Sequence, residues 1–211
     1  MSMRSRYAIE GILLAAGASR RFGSPKLLQP LADGTPMALA CARTLMGCVD
    51  QVIVVIHPQD KALARLLAGY DVRVLPCPQA PEGMGHSIAC GVRASLDADA
   101  WILALADMPF IQKDTVLGVA NLLRDGAVMA APSYAGRRGH PVGFSRPLRG
   151  ALCDLAGDQG ARSIVTGHLR DLRLHTCADP GIHRDIDTPG DLALYESPGV
   201  SPGGLGSRFG C

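Results

Sequence analysis

The sequence predicts an α/β fold: a Rossmann-like three-layer sandwich with a mostly parallel central sheet. Three observations predict it. Short apolar runs bounded by polar residues, Gly or Pro recur at residues 9–16, 52–56, 72–75, 101–106 and 127–131, and runs of that length read as strands buried on both faces. Between them lie stretches whose apolar residues recur at helical spacing. Strand and helix alternate along the chain, the pattern of crossover helices covering a parallel sheet on both sides.

The first strand is residues 9–16. Arg4 and Arg6 ahead of this run imitate a secretory leader. However, Glu10 sits immediately before the apolar core, and Arg20 and Arg21 follow where a cleavage site would need small residues. Next, Met37, Ala40, Cys41, Thr44 and Leu45 follow the i, i+3, i+4 rule and stop at Gly47. After the second strand, Asp60 can cap a helix whose inner face is Leu63, Leu66 and Leu67 and which ends at Gly69. The third strand leads to a helix opened by Ser87, whose hydroxyl either caps that helix or meets a ligand. Residues 101–106 form the fourth strand, and Val116, Val119, Ala120 and Leu123 make a helical stripe ending near Gly126.

Regularity weakens after Pro132, and residues 137–145, with Gly139-His140-Pro141 at their centre, read as a loop or short hairpin laid over the active edge of the sheet. Thr188-Pro189-Gly190-Asp191 provides an N-cap, a first-turn Pro and an acid at the third helical position, so a short helix starts there. The domain is expected to span residues 1–196. Residues 197–211 hold five Gly and two Pro with little to bury, which predicts a disordered tail.

Composition narrows the function classes. A chain of 211 residues suits one domain, and 47% apolar against 19% charged residues is a globular balance. The longest apolar runs fall far short of the roughly 20 residues of a spanning helix. A net charge of +2 and 4% aromatic residues leave neither the basic footprint nor the stacking platform expected of a partner for nucleic-acid polymers or anionic membranes. Seven Cys residues form no C-x-x-C pair, and several lie in apolar segments, which fits reduced thiols in a cytoplasm.

The richest stretch is Leu13-Leu14-Ala15-Ala16-Gly17-Ala18-Ser19-Arg20-Arg21-Phe22-Gly23-Ser24-Pro25-Lys26, a strand running into a small-residue turn studded with cations. Gly17 permits close backbone approach, the turn's N–H groups can form an anion-binding nest, and Arg21 with Lys26 would neutralise a triphosphate. The spacing is neither a Walker A loop nor G-x-G-x-x-G, which removes the main support for a P-loop NTPase and for a nicotinamide oxidoreductase. Asp107 ends a buried strand, where ligands of open α/β sheets sit, and a carboxylate there either holds Mg²⁺ or merely forms the turn before Met108-Pro109. No set of His residues has zinc-ligand spacing, and no Cys has the electropositive context of a catalytic thiolate.

The run from Leu14 to Lys26 resembles the signature of the MobA-like nucleotidyltransferases, within them most the molybdenum cofactor cytidylyltransferases. Gly83-Met84-Gly85-His86-Ser87-Ile88, Ala106-Asp107-Met108-Pro109, Arg138-Gly139-His140-Pro141-Val142, Gly157-Asp158-Gln159-Gly160-Ala161-Arg162 and Asp185-Ile186-Asp187-Thr188-Pro189 follow in family order. The resemblance implies a fold of the nucleotide-diphospho-sugar transferase type and transfer of CMP from CTP to the terminal phosphate of molybdopterin cofactor, with Mg²⁺ and release of pyrophosphate. It implies a nucleotide site of Leu14, Ala15, Ala16, Gly17, Arg21, Lys26, Pro76, Gly83, Ser87 and Asp107, with Arg21, Lys26 and Asp107 as the catalytic set. Asp107 and Asp187 would hold the metal, with Asp185 as the fallback ligand, and His140 would face the acceptor. Ala16 stands where guanylyl-transferring relatives usually carry Gly, which points toward CTP. A guanylyltransferase, an enzyme with another phosphorylated acceptor, or a carrier delivering the cofactor to a molybdoenzyme apoprotein remain the alternatives. On their own residues, Gly157-Asp158 reads as a turn and Arg162 as a surface cation, and neither is given a role.

Overall fold

Strand β1 (Ile9–Ala15) is flanked by two parallel neighbours, β2 (Gln51–Ile56) and β4 (Ala100–Leu105), with Ile12 opposite Ile53 on one side and Leu103 on the other. The computed structural model describes residues 7–17, 22 and 25–196, so Arg21 and the expected disordered tail lie outside the described residues. β3 (Arg73–Pro76) extends the sheet beyond β2, again in parallel. Past β4 the direction changes. β7 (Val142–Ser145) runs antiparallel between β4 and β5 (Met129–Tyr134), β6 (Arg137–Arg138) pairs with the far end of β5, and β8 (Leu172–Thr176) adds to β5 in parallel. The eight-stranded sheet is therefore mostly parallel, as expected.

Residues 137–145 are not a hairpin laid over the sheet, because β7 lies within it. Ala135 and Gly136, at φ 50° and 75°, form a two-residue reversal between Tyr134 and Arg137, the geometry that matches the twist of a tight hairpin. The chain then returns along β5 and delivers Val142 and Phe144 to the core beside Trp101 and Leu103. β8 is a further strand that periodicity did not show.

Period-two alternation splits the strands between two faces. Ile9, Leu13, Ala15, Val52, Val54, Ile56, Ala100 and Ile102 pack under α1 (Met37–Leu45), α2 (Lys61–Leu67) and α4 (Lys113–Arg124). Ile12, Ile53, Val55, Trp101 and Leu103 pack under α3 (Met84–Arg93), α5 (Arg149–Cys153) and α6 (Arg162–Gly167). Asp60 caps α2 by accepting from the Leu63 N–H at 3.0 Å. At α7 (Pro189–Glu196) the cap is reciprocal: the Asp191 N–H donates to Thr188 Oγ1 at 3.2 Å and the Thr188 N–H donates to Asp191 Oδ2 at 2.7 Å.

One buried carboxylate organises the approach to α7. Asp179 is 1% exposed and accepts from the Gln112 N–H at 2.8 Å, the Thr115 hydroxyl at 2.7 Å and the Gly181 N–H at 2.8 Å. It ties the 3-10 turn Pro180–His183 to the start of α4, and so fixes the segment that carries Asp187 back to the sheet.

Glu10, at the other end of β1, has a buried Oε2 without a hydrogen-bond partner. Burial first and the neighbouring Asp50 charge second push its pKa up, with Arg73 opposing. A carboxyl whose folded pKa exceeds its unfolded value contributes full stability below the unfolded pKa and loses it as pH rises through the folded one. Glu10→Gln is therefore expected to raise the melting temperature at about pH 7 and to give no gain at about pH 3.5, where both side chains are neutral. Thermal melts at the two pH values check this.

Candidate active site

The carboxyl ends of β1 and β4 bring together a lysine and two carboxylates from distant parts of the chain. Lys26 stands on a short 3-10 turn, Lys26–Leu28, after the β1 loop and is 8% exposed. Its ammonium donates to Asp107 Oδ2 at 2.9 Å and to the Ile186 carbonyl at 2.7 Å, and lies 3.6 Å from Asp187 Oδ1. The backbone fixes all three groups. The Ala106 N–H donates to the Leu14 carbonyl at 3.1 Å, tying the turn after β4 to β1, and the Ile186 N–H donates to the Asp107 carbonyl at 2.9 Å. The Asp187 N–H donates to Asp191 Oδ2 at 3.0 Å, so the α7 cap holds Asp187 while its own carboxylate faces Lys26.

These groups line a cavity of about 520 Å³. Leu14, Ala15, Ala16, Gly17 and Lys26 line it from the β1 side, Gly83 and Ser87 from α3, and Asp107 and Asp187 from the far wall. Ser87 does not cap α3. It is the fourth residue of that helix, buried, and the N-cap is Gly83, which makes no side-chain cap. Pro76 is not part of this cavity: it still pairs with Ile56 in the sheet, and Ala80 and Pro81 of the following turn reach the cavity instead. Arg21 lies outside the described residues. Asp185 does not line the cavity either, although burial first and then the Asp107 and Asp187 charges raise its carboxyl pKa.

Two polar residues in the cavity were not read from sequence. His57 follows the last residue of β2 and accepts from the Gln59 N–H through Nδ1 at 3.2 Å, which leaves Nε2 as the N–H of the neutral ring. Its position just past a parallel strand was the available signal. Asp158 enters from the segment left without a role.

Gly83 explains how Asp158 gets there. At φ 133°, a Cβ on Gly83 would stand 2.2 Å from the Gly157 carbonyl carbon and 2.6 Å from the Asp158 nitrogen, so residues 157 and 158 occupy the space a side chain would need. The resemblance makes Gly83 a nucleotide contact; its geometry shows it also packing backbone on backbone. Gly83→Ala is expected to lower the melting temperature by about 5–10 °C, the equivalent of ~2–3 kcal/mol of backbone strain in a chain of this size. Thermal unfolding of the variant checks this.

His140 lies elsewhere. It lines a second cavity of about 210 Å³ that adjoins the first through Leu14, Met84 and Leu105. Its backbone N–H donates to the Ile182 carbonyl at 3.1 Å, and its Nδ1 is buried without a hydrogen-bond partner. Burial first, then the Arg138 charge, lower its pKa and favour the neutral ring.

Among the described residues no three His, Cys, Asp or Glu side chains are clustered to enclose a metal. The carboxylate pair fits a different arrangement. Asp107 Oδ1 is buried with no hydrogen-bond partner, and Mg²⁺ usually takes one or two carboxylates and completes its shell with water and substrate phosphate oxygens. The Cys41 thiol, which donates to the Ala106 carbonyl at 3.3 Å beneath Asp107, is pushed well up by burial and is no nucleophile.

The sequence matches the family model described as the MobA-like NTP transferase domain over residues 11–173, from β1 into β8. The purine catabolism protein PucB of Bacillus subtilis is 34% identical over 89% of this chain and 95% of its own length. Nicotine blue oxidoreductase of Paenarthrobacter nicotinovorans is 30% identical over 85% and 92%. Molybdenum cofactor cytidylyltransferase of Escherichia coli is 26% identical over 88% and 94%. Among solved structures, Rv0371c of Mycobacterium tuberculosis in complex with manganese superposes with a TM-score of 0.68 at 25% identity, covering 89% of this chain and 97% of that one. Relatives so alike in length bear names that differ in substrate, so the match identifies the machinery and leaves the acceptor open. With the family's domain spanning nearly the whole sheet, and a lysine between two carboxylates at its carboxyl edge, the chain belongs to the MobA-like NTP transferases, a family of nucleotidyltransferase enzymes.

Proposed function

We propose that the protein transfers CMP from CTP to the terminal phosphate of molybdopterin cofactor and releases pyrophosphate. The observation that carries this reading is the Lys26 ammonium held between Asp107 and Asp187 on the wall of the larger cavity. That cavity falls within the roughly 300–1,000 Å³ of pockets that hold whole small ligands. Its β1 wall of Leu14, Ala15, Ala16 and Gly17 lets a nucleotide approach the backbone closely, and the buried Ser87 lines it from α3.

In the transfer, an oxygen of the acceptor phosphate forms a bond to the α-phosphorus of CTP. The bond from that phosphorus to the bridging oxygen breaks, and pyrophosphate leaves with the electron pair. A phosphate monoester is largely ionised near neutral pH, its second pKa being about 6, so no general base is required. Lys26 neutralises triphosphate charge, and Arg21, five residues before it in the sequence, is assigned the same role from the sequence. Asp107 and Asp187 would hold a Mg²⁺ ion, which when bound would supply Lewis-acid stabilisation of the charge that builds on the departing pyrophosphate. The rest is orientation of two bound reactants.

Ala16, which lines this cavity where the resemblance puts Gly in guanylyl-transferring relatives, supports CTP over GTP. Competition binding with Mg²⁺ tests the base: unlabelled CTP should displace labelled CTP at concentrations where GTP does not. The reverse order would keep the chemistry and overturn the cytidine assignment. The same cavity with GTP bound would make the protein a guanylyltransferase.

A further inference from the structure

We propose that Cys77 and Cys90 form a redox-sensitive modification site: a disulfide closed between them by a small-molecule disulfide such as oxidised glutathione ties down one wall of the larger cavity and weakens nucleotide binding there. This rests on the nucleotide reading above for the identity of the ligand alone.

The two cysteines stand at the ends of one segment, residues 77–90, and the fold brings those ends together. Cys77 follows the last residue of β3, and its N–H donates to the Ile56 carbonyl at 3.0 Å, which ties it to the sheet. Its thiol is fully buried and donates to the His86 carbonyl at 3.7 Å. Cys90 stands four residues after His86 in α3, and a helical side chain leans back over the turn before it, toward that carbonyl and the thiol beside it. The Cys90 thiol donates a hydrogen bond to the Cys77 sulfur and packs against the core cluster that holds Cys77. Cys90 is partly exposed, so solvent reaches one member of the pair while the other is shielded.

Closure needs two exchanges. The Cys90 thiolate forms a bond to one sulfur of glutathione disulfide, whose S–S bond breaks and releases a glutathione thiolate. The Cys77 sulfur then attacks the Cys90 sulfur and displaces the second glutathione. The two thiol protons end on the departing sulfurs, so the protein loses two electrons and glutathione disulfide gains them. Burial first, then the Cys77 sulfur, push the Cys90 thiol up to about 11, with Arg93 opposing. Thiolate is therefore scarce near neutral pH, and closure answers sustained oxidation over minutes to hours.

The segment between the cysteines is a cavity wall. Ala80, Pro81, Gly83, Met84 and Ser87 all line the larger cavity. Its middle has no slack: a Cβ on Gly83 would stand 2.2 Å from the Gly157 carbonyl carbon, and one on Gly85 would stand 2.7 Å from the Ala156 carbonyl oxygen. Two hydrogen-bonded sulfurs lie farther apart than two bonded ones, so closure draws the ends of the segment together. With Gly83 and Gly85 pinned, the displacement falls on Ala80 and Ser87, and a misplacement of about 1 Å costs up to about a hundredfold where a site depends on positioning.

Incubating the full chain for hours with buffered mixtures of reduced and oxidised glutathione tests this. Cleavage after Glu82 without reductant separates the two cysteines, so mass spectrometry reads the bond between them directly. The oxidised chain should carry the Cys77–Cys90 bond, exchange the amides of residues 77–90 at least about tenfold more slowly, and bind CTP with Mg²⁺ about tenfold more weakly. Dithiothreitol should reverse all three. Cys90→Ser should bind CTP within about twofold of the reduced parent and keep that affinity under oxidation. Glutathione adducts without the bond, or a bond that leaves CTP affinity unchanged, would overturn the proposal. If the bond formed and exchange slowed, but the reduced parent bound no nucleoside triphosphate, the pair would stand as a lock on this wall and the nucleotide reading would fall.

Discussion

Asp107→Asn is expected to lower the rate of nucleotidyl transfer by about a thousandfold or more with the fold intact. The side chain keeps its size and loses the charge that balances Lys26 and would hold the cation at the leaving pyrophosphate. Electrostatic stabilisation of that kind supplies several kcal/mol, and each ~1.4 kcal/mol is a factor of ten in rate. The variant should still fold because Lys26 keeps its bond to the Ile186 carbonyl at 2.7 Å and its neighbour Asp187 at 3.6 Å, so its charge is not stranded. Steady-state rates alongside circular dichroism check both halves of the expectation. Near-normal turnover would mean that the carboxylate serves only the turn before Met108-Pro109.

Lys26→Met should act in opposite directions on two readouts. Transfer should fall by about a hundredfold or more as the triphosphate loses a buried cation. Divalent-cation affinity without nucleotide should rise by about tenfold, because the ammonium no longer stands 2.9 Å from Asp107 and 3.6 Å from Asp187 in competition with a metal. A Mn²⁺ titration followed by electron paramagnetic resonance measures the second effect without any turnover. Unchanged Mn²⁺ affinity would show that Asp107 and Asp187 do not form the cation site.

Much of this arrangement was legible in the sequence. β1, β2 and β4 announced themselves because each holds an unbroken run of apolar residues, Ile12 to Ala15, Val52 to Ile56 and Ala100 to Leu105, packed mostly inside the sheet. The α7 start was legible because Thr188 and Asp191 sit at capping-box spacing and bond reciprocally. β7 was hidden because its reversal uses Ala135-Gly136 in place of the usual Asn-Gly, and because Gly139 and Pro141 precede it. β8, Leu172-Arg173-Leu174-His175-Thr176, is a half-exposed strand at the end of the sheet and shows no continuous apolar run.

The site followed the same division. Lys26, Asp107 and Asp187 were readable because each follows or precedes a recognisable element end, and the structure brings their charged groups together. Pro76 was placed in the nucleotide site by the resemblance; the third strand, expected to stop at residue 75, runs one residue further and keeps Pro76 in the sheet. His57 and Asp158 depend on where loops travel in space, which local pattern does not encode. His140 was placed with the acceptor, and it lies in the cavity beside the nucleotide site, on the side where Arg138 and Arg162 also stand.

Pyrophosphate release from the full chain, with Mg²⁺, a molybdopterin-type phosphate acceptor and each ribonucleoside triphosphate in turn, tests the central claim most directly. Release that requires both the acceptor and CTP, and that Asp107→Asn abolishes, is the expected result. No release with any nucleotide, from folded protein that binds CTP and Mg²⁺, would contradict nucleotidyl transfer to this acceptor.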